Sequence, residues 1–338
     1  MTPFSRIARF RTHSVIVMLL FLLSACGPAA RRLEPDNLVW PLPPNPPKIQ
    51  YIQSIYSEDD IGRVYSLIEK IFGKNYGDTI GRPYGVFARR GKISVTDLTM
   101  RSVFVFDLAT KRLAVLGGEG ALQAPSSAVM DAAGATYVAD AGSSKIAVYG
   151  AQGNYTTAYP LDGGRPVSLA VNELLGRLYV VDRAGHQVIV LGLDGKKLFE
   201  FGGQGGKDGQ FNIPLSIAVD KQGAVYVLDS GNFRVQIFDA DGKFIAKFGE
   251  VGDRPGMFAN PKGIAVDSEG HIYVTDAAFS NFQIFDQQGN FLLFVGSLGP
   301  YPGQLHLPGG ISIDENDRIY VADQFNSRIQ VFQYLKTP

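Results

Sequence analysis

Cysteine is almost absent from this chain of 338 residues, which contains only one, Cys26. An internal disulfide is therefore impossible, so the folded domain must rely on its hydrophobic core. Charged residues are also scarce, at 19% of the chain, whereas glycine and aromatic residues are plentiful. This composition argues against a disordered chain or a coiled coil and favours a compact, turn-rich β protein. After residue 25, no apolar run is long enough for a transmembrane helix.

The first 25 residues have the features of an export signal. Three arginines (Arg6, Arg9 and Arg11) precede an apolar run of nine residues, 15–23, which is too short to span a membrane. The sequence that follows, LSAC, resembles the lipobox of bacterial lipoproteins, in which the cysteine becomes the acylated first residue of the mature chain. The resemblance implies that residues 1–25 are a lipoprotein signal peptide and that Cys26 is lipidated. An ordinary signal peptide with an incidental cysteine is the alternative.

The same resemblance implies a location in the bacterial cell envelope. In Gram-negative lipoproteins, a residue such as Gly27 after the cysteine favours the outer membrane, and the protein would then face the periplasm. Without residues 1–25 the chain has 29 basic and 32 acidic residues, because only three arginines are lost. A net charge of −3 gives no reason to expect nucleic-acid binding.

Residues 26–47 are rich in proline, which predicts an extended spacer between the lipid anchor and a folded domain at 48–338. Trp40, the only tryptophan, lies within this segment. We expect Trp40 to pack on the domain, and a contact with a partner is the alternative.

Six copies of one unit form most of the remaining chain. Each copy contains short runs that alternate apolar and polar residues and are separated by turn residues, which is typical of β-strands. An aspartate marks each copy, at spacings of 43, 42, 47, 47 and 47 residues: Asp97, Asp140, Asp182, Asp229, Asp276 and Asp323. Four short strands in each of six units predict a β-propeller, whose closed ring protects the sheet edges.

The last unit has only three strands, so closure of the ring requires a strand from elsewhere. Residues 49–55, IQYIQSI, have the required alternation and are predicted to supply the outer strand of blade 6. A short amphipathic helix is predicted at about 58–72, with a cap-like start at Ser57.

Three motifs within the units are specific: Pro-x-Gly-Ile-Ala-Val-Asp, Ile-Tyr-Val-x-Asp and Arg-Ile-Gln-Val-Phe. Together with glycine-rich stretches such as GGQGGKDGQFNIP, they resemble the NHL repeat. The Gly-His and Trp-Asp marks of another propeller family are missing. The resemblance implies an all-β, six-bladed propeller of the NHL type with four-stranded blades.

A residue that every blade requires is expected to be architectural, and a residue that breaks the repeat is a better functional candidate. By this criterion the marker aspartates and the basic residues after them are structural: Asp229 with Arg234, Asp323 with Arg328 and Asp140 with Lys145. We assign the basic position to His186 in blade 3, and Asn281 replaces it in blade 5.

Propellers commonly bind at the face where the loops between strands 4 and 1 meet those between strands 2 and 3. This face is therefore the candidate binding face. Its residues that break the repeat, together with loop aromatics, suit protein or glycan contact: Arg82, Tyr84, Arg165, His186, Phe233, Lys262, Phe279, His306 and Phe325. The alternative is that the aromatic side chains fold onto the blades.

An enzyme is the competing hypothesis, because six-bladed relatives include a zinc-dependent amidating lyase and calcium-dependent lactonases. Zinc requires about three convergent ligands. However, His271 is expected at the opposite end of the channel from His186 and His306. Calcium requires several carboxylates. Asp131, Asp220, Asp267 and Asp314, with Asn172, could form an acidic ring, but each is explained by its turn. No phosphate-binding loop or nucleophile motif is present.

The sequence therefore favours a membrane-anchored envelope module that presents a rigid propeller to a protein partner, with no catalytic residues, metal or cofactor. A metal-dependent lyase or lactonase-like enzyme is one alternative. A sensor that binds a small molecule or glycan at the channel mouth is another.

Overall fold

The computed structural model describes residues 38–65, 79–117 and 121–336. Within them, six antiparallel sheets surround a central channel as the blades of a propeller. Five sheets have four strands and the sixth has five, so the predicted all-β, six-bladed architecture is confirmed. The signal peptide, Cys26 and most of the spacer lie outside the described residues.

In blades 1 to 5, the strands run in chain order from the channel to the rim. Blade 1 contains β3 (Pro83–Arg89), β4 (Lys92–Asp97), β5 (Ser102–Asp107) and β6 (Arg112–Leu116). Blade 2 contains β7 (Pro125–Met130), β8 (Thr136–Asp140), β9 (Lys145–Tyr149) and β10 (Tyr155–Pro160). Blade 3 contains β11 (Pro166–Asn172), β12 (Arg177–Asp182), β13 (Gln187–Gly192) and β14 (Lys197–Gly202). Blade 4 contains β15 (Pro214–Val219), β16 (Val225–Asp229), β17 (Arg234–Phe238) and β18 (Phe244–Phe248). Blade 5 contains β19 (Pro261–Val266), β20 (Ile272–Asp276), β21 (Asn281–Phe285) and β22 (Phe291–Val295).

Blade 6 joins the two ends of the propeller. It contains β23 (Pro308–Ile313), β24 (Arg318–Asp323), β25 (Arg328–Tyr334) and two strands from the beginning of the domain, β1 (Val39–Trp40) and β2 (Ile49–Ile55). β2 lies antiparallel to β25, with Ile55 opposite Ile329. The prediction that residues 49–55 close the ring is therefore confirmed.

Trp40 belongs to the propeller, although the sequence placed it in the spacer at 26–47. β1 extends blade 6 beyond β2, with Trp40 opposite Ile49. The Trp40 ring meets the Phe332 ring edge to face, with 5.8 Å between centroids. The expected packing of Trp40 on the domain is thus observed, and it arises from strand pairing that the proline-rich composition concealed.

The hydrophobic core lies between adjacent blades. Each buried cluster combines side chains from two neighbouring sheets, as with Tyr273 of blade 5 and Phe332 of blade 6. The glycine-rich loops between blades add a plug residue to this core, such as the fully buried Phe258. Gly249 makes room for this plug, because a Cβ atom there would lie 2.4 Å from the Phe258 ring, and its φ of +95° also favours glycine.

The predicted helix at about 58–72 begins as a short 3₁₀ turn rather than as a continuous α-helix. Ser57 does begin a capped turn, and its hydroxyl accepts from the Asp59 N–H. That turn is a 3₁₀ segment, Glu58–Ile61, and it ends at Gly62 in the left-handed conformation. The remainder of the predicted helix, from residue 66 onward, lies outside the described residues. No helix in the described ranges is long and apolar enough to cross a membrane.

Candidate functional site

The marker aspartates join the end of the second strand to the loop that precedes the first. The buried Asp229 carboxylate accepts from the Asn212 N–H at 2.6 Å and from the Arg234 Nε at 2.8 Å. The Arg234 guanidinium also donates to carbonyls of the preceding glycine-rich loop, including that of Gln210. Asp323 and Arg328 repeat this arrangement in blade 6. These pairs therefore hold the loops in place, as the sequence indicated.

The assignment of His186 to the basic position of blade 3 is wrong by one residue. Gln187 pairs with Asp182 in the register and donates to its carboxylate at 3.3 Å. His186 instead occupies the left-handed position before the third strand, where blade 4 has Phe233. The loop between the second and third strands has the same length in blades 3 and 4. Blade 3, however, has no basic residue at the position of Arg234, and the nearest basic side chain is that of His186, one residue earlier.

Four residues from three blades meet at the channel mouth. Tyr84 in blade 1 and Lys262 in blade 5 occupy the same repeat position, directly after the proline that begins the first strand, and both line the channel cavity. In blade 3, Arg165 precedes that proline, and its carbonyl accepts from the N–H of Arg183 at 3.0 Å. We call Tyr84, Arg165, Arg183 and Lys262 the mouth cluster.

The positive charges of the mouth cluster alter the pKa values of its Tyr84 and Lys262 side chains. Burial lowers the pKa of the Lys262 ammonium, and the charge of Arg183 lowers it further, against an opposing effect of Asp276. Burial raises the pKa of the Tyr84 hydroxyl, and the charges of Arg183 and Arg165 oppose this increase. Among the described residues, no ion pair is found for Arg165, Arg183 or Lys262. The cluster is therefore suited to negative charge.

A second group lies on the loops of blades 1 and 6. The Arg82 guanidinium stacks over the Phe325 ring at 5.0 Å, and the His306 ring lies 5.1 Å from the same ring. The side chains of Arg82 and His306 are exposed, and Phe325 is 52% exposed. We call Arg82, His306 and Phe325 the rim cluster, which presents a flat aromatic and cationic surface to solvent.

The other three predicted binding residues belong to neither cluster. His186 uses Nδ1 to accept from the Ile213 N–H at 3.2 Å. Phe233 packs against the core between blades 4 and 5, and Phe279 is half-buried. For Phe233, the alternative that the aromatic side chain folds onto the blades is what the structure shows.

The opposite end of the channel is occupied by structural hydrogen bonds. Each turn aspartate accepts backbone N–H groups and a tyrosine hydroxyl from the following strand, as Asp220 does from Tyr226 at 2.9 Å. Arg89 and Glu173 form a two-pronged ion pair that joins blades 1 and 3, with one contact of 2.8 Å. In the described part of the chain, no three His, Cys, Asp or Glu side chains are grouped as metal ligands.

His271 lies at this end and predicts a pH-dependent stability. Its Nδ1 lies 2.9 Å from the Asp267 carboxylate, and this hydrogen bond raises the pKa of His271. A raised pKa in the folded state stabilises the protein below the unfolded pKa of about 6.5, and this contribution is lost as the pH rises through the folded pKa. His271→Gln should therefore lower the free energy of unfolding by about 1 kcal/mol near pH 6, because the pair is partly exposed, and by less near pH 8.5.

Urea unfolding at the two pH values checks this expectation, with His306→Gln as the control. An equal loss at both pH values would show that the His271 ring contributes through packing with Tyr334 rather than through its charge.

With the geometry described, comparison with known proteins identifies the repeat. A family model for the NHL repeat matches residues 211–238, 258–285 and 305–332, which lie in blades 4, 5 and 6. The chain carries NHL repeats. No curated protein gives a significant match to the sequence.

Solved structures similar to this NHL propeller have diverse functions. A virginiamycin B lyase from Staphylococcus aureus is 13% identical, with a TM-score of 0.58, over 85% of this chain and 99% of the other. A gluconolactonase from Xanthomonas campestris is 16% identical, with a TM-score of 0.59, over 84% and 98%. An auxiliary nutrient binding protein from Bacteroides thetaiotaomicron is 13% identical, with a TM-score of 0.60, over 76% and 70%. At these identities the likeness shows the fold alone, which enzymes and binding proteins share.

Sequence reasoning missed one member of the mouth cluster of this NHL propeller. Arg183 directly follows the marker Asp182, at a position where the other blades have uncharged residues: Leu98, Ala141, Ser230, Ala277 and Gln324. Arg183 therefore breaks the repeat, and the criterion applied to the other candidates would have found it.

Proposed function

We propose that this protein is a membrane-anchored binding module of the bacterial envelope, whose NHL propeller presents its loop-bearing face to a protein partner. The observation that carries the proposal is the rim cluster. Its aromatic and arginine side chains break the repeat and stay exposed, whereas Phe233, at a different position of the corresponding loop, packs against the core between blades 4 and 5. Exposed arginine and aromatic side chains are the residue types that contribute most to protein interfaces.

The anchor is the second part of the proposal. The lipobox-like sequence that ends at Cys26 supports lipid attachment, and Leu38 is the first described residue of the propeller. The segment between them, if extended at about 3.1 Å per residue, would hold the propeller within a few nanometres of the membrane surface. A partner that binds the rim cluster would therefore be an envelope protein.

Site-specific photo-crosslinking in cells that express the full-length chain tests the contact surface. A benzophenone analogue of phenylalanine at Phe325 keeps the aromatic ring and should give one discrete cross-linked protein. The same analogue at Gln222, an exposed turn residue at the opposite end of blade 4, is the matched control and should give none. Adducts from position 222 alone, or from neither position, would contradict the proposal.

Fractionation of the same cells tests the anchor. The wild-type chain should remain with the membranes, and Cys26→Ala should release the propeller into the soluble fraction. A Cys26→Ala chain that stays in the membranes would show that the lipidation part of the proposal is wrong, whatever the cross-linking result.

A further inference from the structure

Four serine hydroxyl groups line the channel below the mouth cluster, and each can donate its proton to a ligand. Ser127, Ser168 and Ser216 occupy the same repeat position in blades 2, 3 and 4, and Ser312 lies two residues further along its strand in blade 6. Each hydroxyl accepts a backbone N–H from the first strand of the next blade, at 3.1–3.3 Å.

A serine hydroxyl has one proton to donate in addition to its acceptor sites. Within the described ranges, no acceptor is found for the protons of these four serines. The accepted N–H groups fix the oxygen positions, so the protons are available to a molecule in the channel.

The nearby acids leave the mouth cluster with a net positive charge. Asp182 and Asp276 are buried, and their oxygens accept backbone N–H groups, such as that of Arg165 at 2.8 Å and that of Asn260 at 3.0 Å. Asp276 attracts the ammonium of Lys262, but within the described residues neither acid forms an ion pair with Arg165, Arg183 or Lys262. Three cations beside two carboxylates therefore retain one positive charge for a ligand, and hydroxyl donors follow further down the channel.

We propose that the channel mouth binds a small oxyanion, with Arg165, Arg183 and Lys262 holding its negative charge and the serine hydroxyls donating to its oxygens. The cavity has a volume of about 160 Å³. A cavity of about this size accommodates benzene, so the ligand has about six to ten non-hydrogen atoms. A small carboxylate or phosphate fits this description.

This site is separate from the rim cluster, so binding of an anion and binding of a protein partner can fail independently. Arginine is suited to the role because its planar guanidinium donates to two oxygens of a carboxylate or phosphate at once. The loss of Arg183 should therefore weaken binding more than the loss of the single ammonium of Lys262.

Isothermal titration calorimetry of the full-length protein in non-ionic detergent tests the proposal with methyl phosphate and with succinate as separate probes, and with glycerol as a neutral control. We expect saturable binding of at least one anion below about 10 mM. Arg183→Gln should weaken this binding by about tenfold, and Lys262→Gln should weaken it by about threefold. Lys221→Gln, which removes the same charge from an exposed turn at the opposite end of blade 4, should leave it unchanged.

The outcomes separate a built site from general attraction. Binding that Lys221→Gln weakens as much as Arg183→Gln would overturn the proposal, as would the absence of saturable binding by either anion. Binding of succinate but not methyl phosphate would identify the ligand class as a carboxylate, and the reverse result would identify it as a phosphate. Ser216→Ala removes one hydroxyl donor without changing the charge, and an unchanged affinity in that variant would remove the serines from the site. The thermal unfolding midpoint of each variant checks that its propeller is intact.

Discussion

Replacement of Ile55 by alanine is expected to destabilise the propeller by about 2–5 kcal/mol. Ile55 is 1% exposed and lies in the core cluster that joins blades 6 and 1. The cost therefore includes both the lost burial of the side chain and the cavity left at the closure of the ring. Urea unfolding that is followed by the fluorescence of Trp40 measures this effect directly, because the only tryptophan lies on the adjoining strand.

Ile52 provides the matched control for this prediction. It lies on the same strand and is the same residue type, but it is 43% exposed at an irregularity in the register. Ile52→Ala should cost less than about 1 kcal/mol. Equal losses in the two variants would contradict the pairing of β2 with β25, since that pairing determines which side of the strand faces the core.

The second large effect is expected from Arg328→Met, which should destabilise the protein by about 3–5 kcal/mol. Arg328 and Asp323 are almost completely buried, with 2.8 Å between Nε and the carboxylate. The guanidinium also donates to the carbonyls of Tyr301 and Gln304 in the loop before blade 6. Its loss would leave a buried carboxylate without a cation and the Tyr301 carbonyl without this donor, whereas the Gln304 carbonyl still accepts from the Gln330 amide.

Lys145→Met tests the same repeat position in blade 2. Asp140 is paired there with backbone N–H groups and the Ser143 hydroxyl, so this variant should cost less than about 1 kcal/mol. In the Arg328→Met background, Asp323→Asn should restore part of the lost stability, because it removes the unpaired charge. Calorimetric or urea unfolding of the three variants measures these differences. A second substitution that causes further loss would show that Asp323 acts mainly through its hydrogen bonds to the loop.

Much of the architecture could be predicted because it depends on patterns that every blade repeats. Alternating residues predict strands, Asp-x-x-Gly predicts the turn between them, and a last unit with three strands requires a fourth. Each of these inferences needs only neighbouring residues or the copy number. The structural role of Asp229 with Arg234 followed in the same way, since both residues recur at the same spacing.

The errors arose where a single blade departs from the pattern. The position of His186 was shifted by one residue, because no arginine marked the start of the third strand in blade 3. Trp40 was assigned to the spacer, because the prolines around it concealed a two-residue strand. In each case the local sequence was ambiguous, and the pairing of strands that are distant in the chain decided the outcome.

The sequence by itself determined the number of blades, the closing strand, the strands of each blade except β1, and the residues that hold the loops except Gln187. Only the tertiary structure decided which of the candidate residues meet. Tyr84 and Lys262 come from blades 1 and 5, and both line the channel because the first strands of all blades converge there. Arg183, in the loop after β12 of blade 3, is near enough to affect the pKa of both. Phe325 remains exposed whereas Phe233 packs against the core, because the two residues occupy different positions of their loops. Repetition specifies contacts within a blade, whereas a site formed by several blades depends on the closed ring.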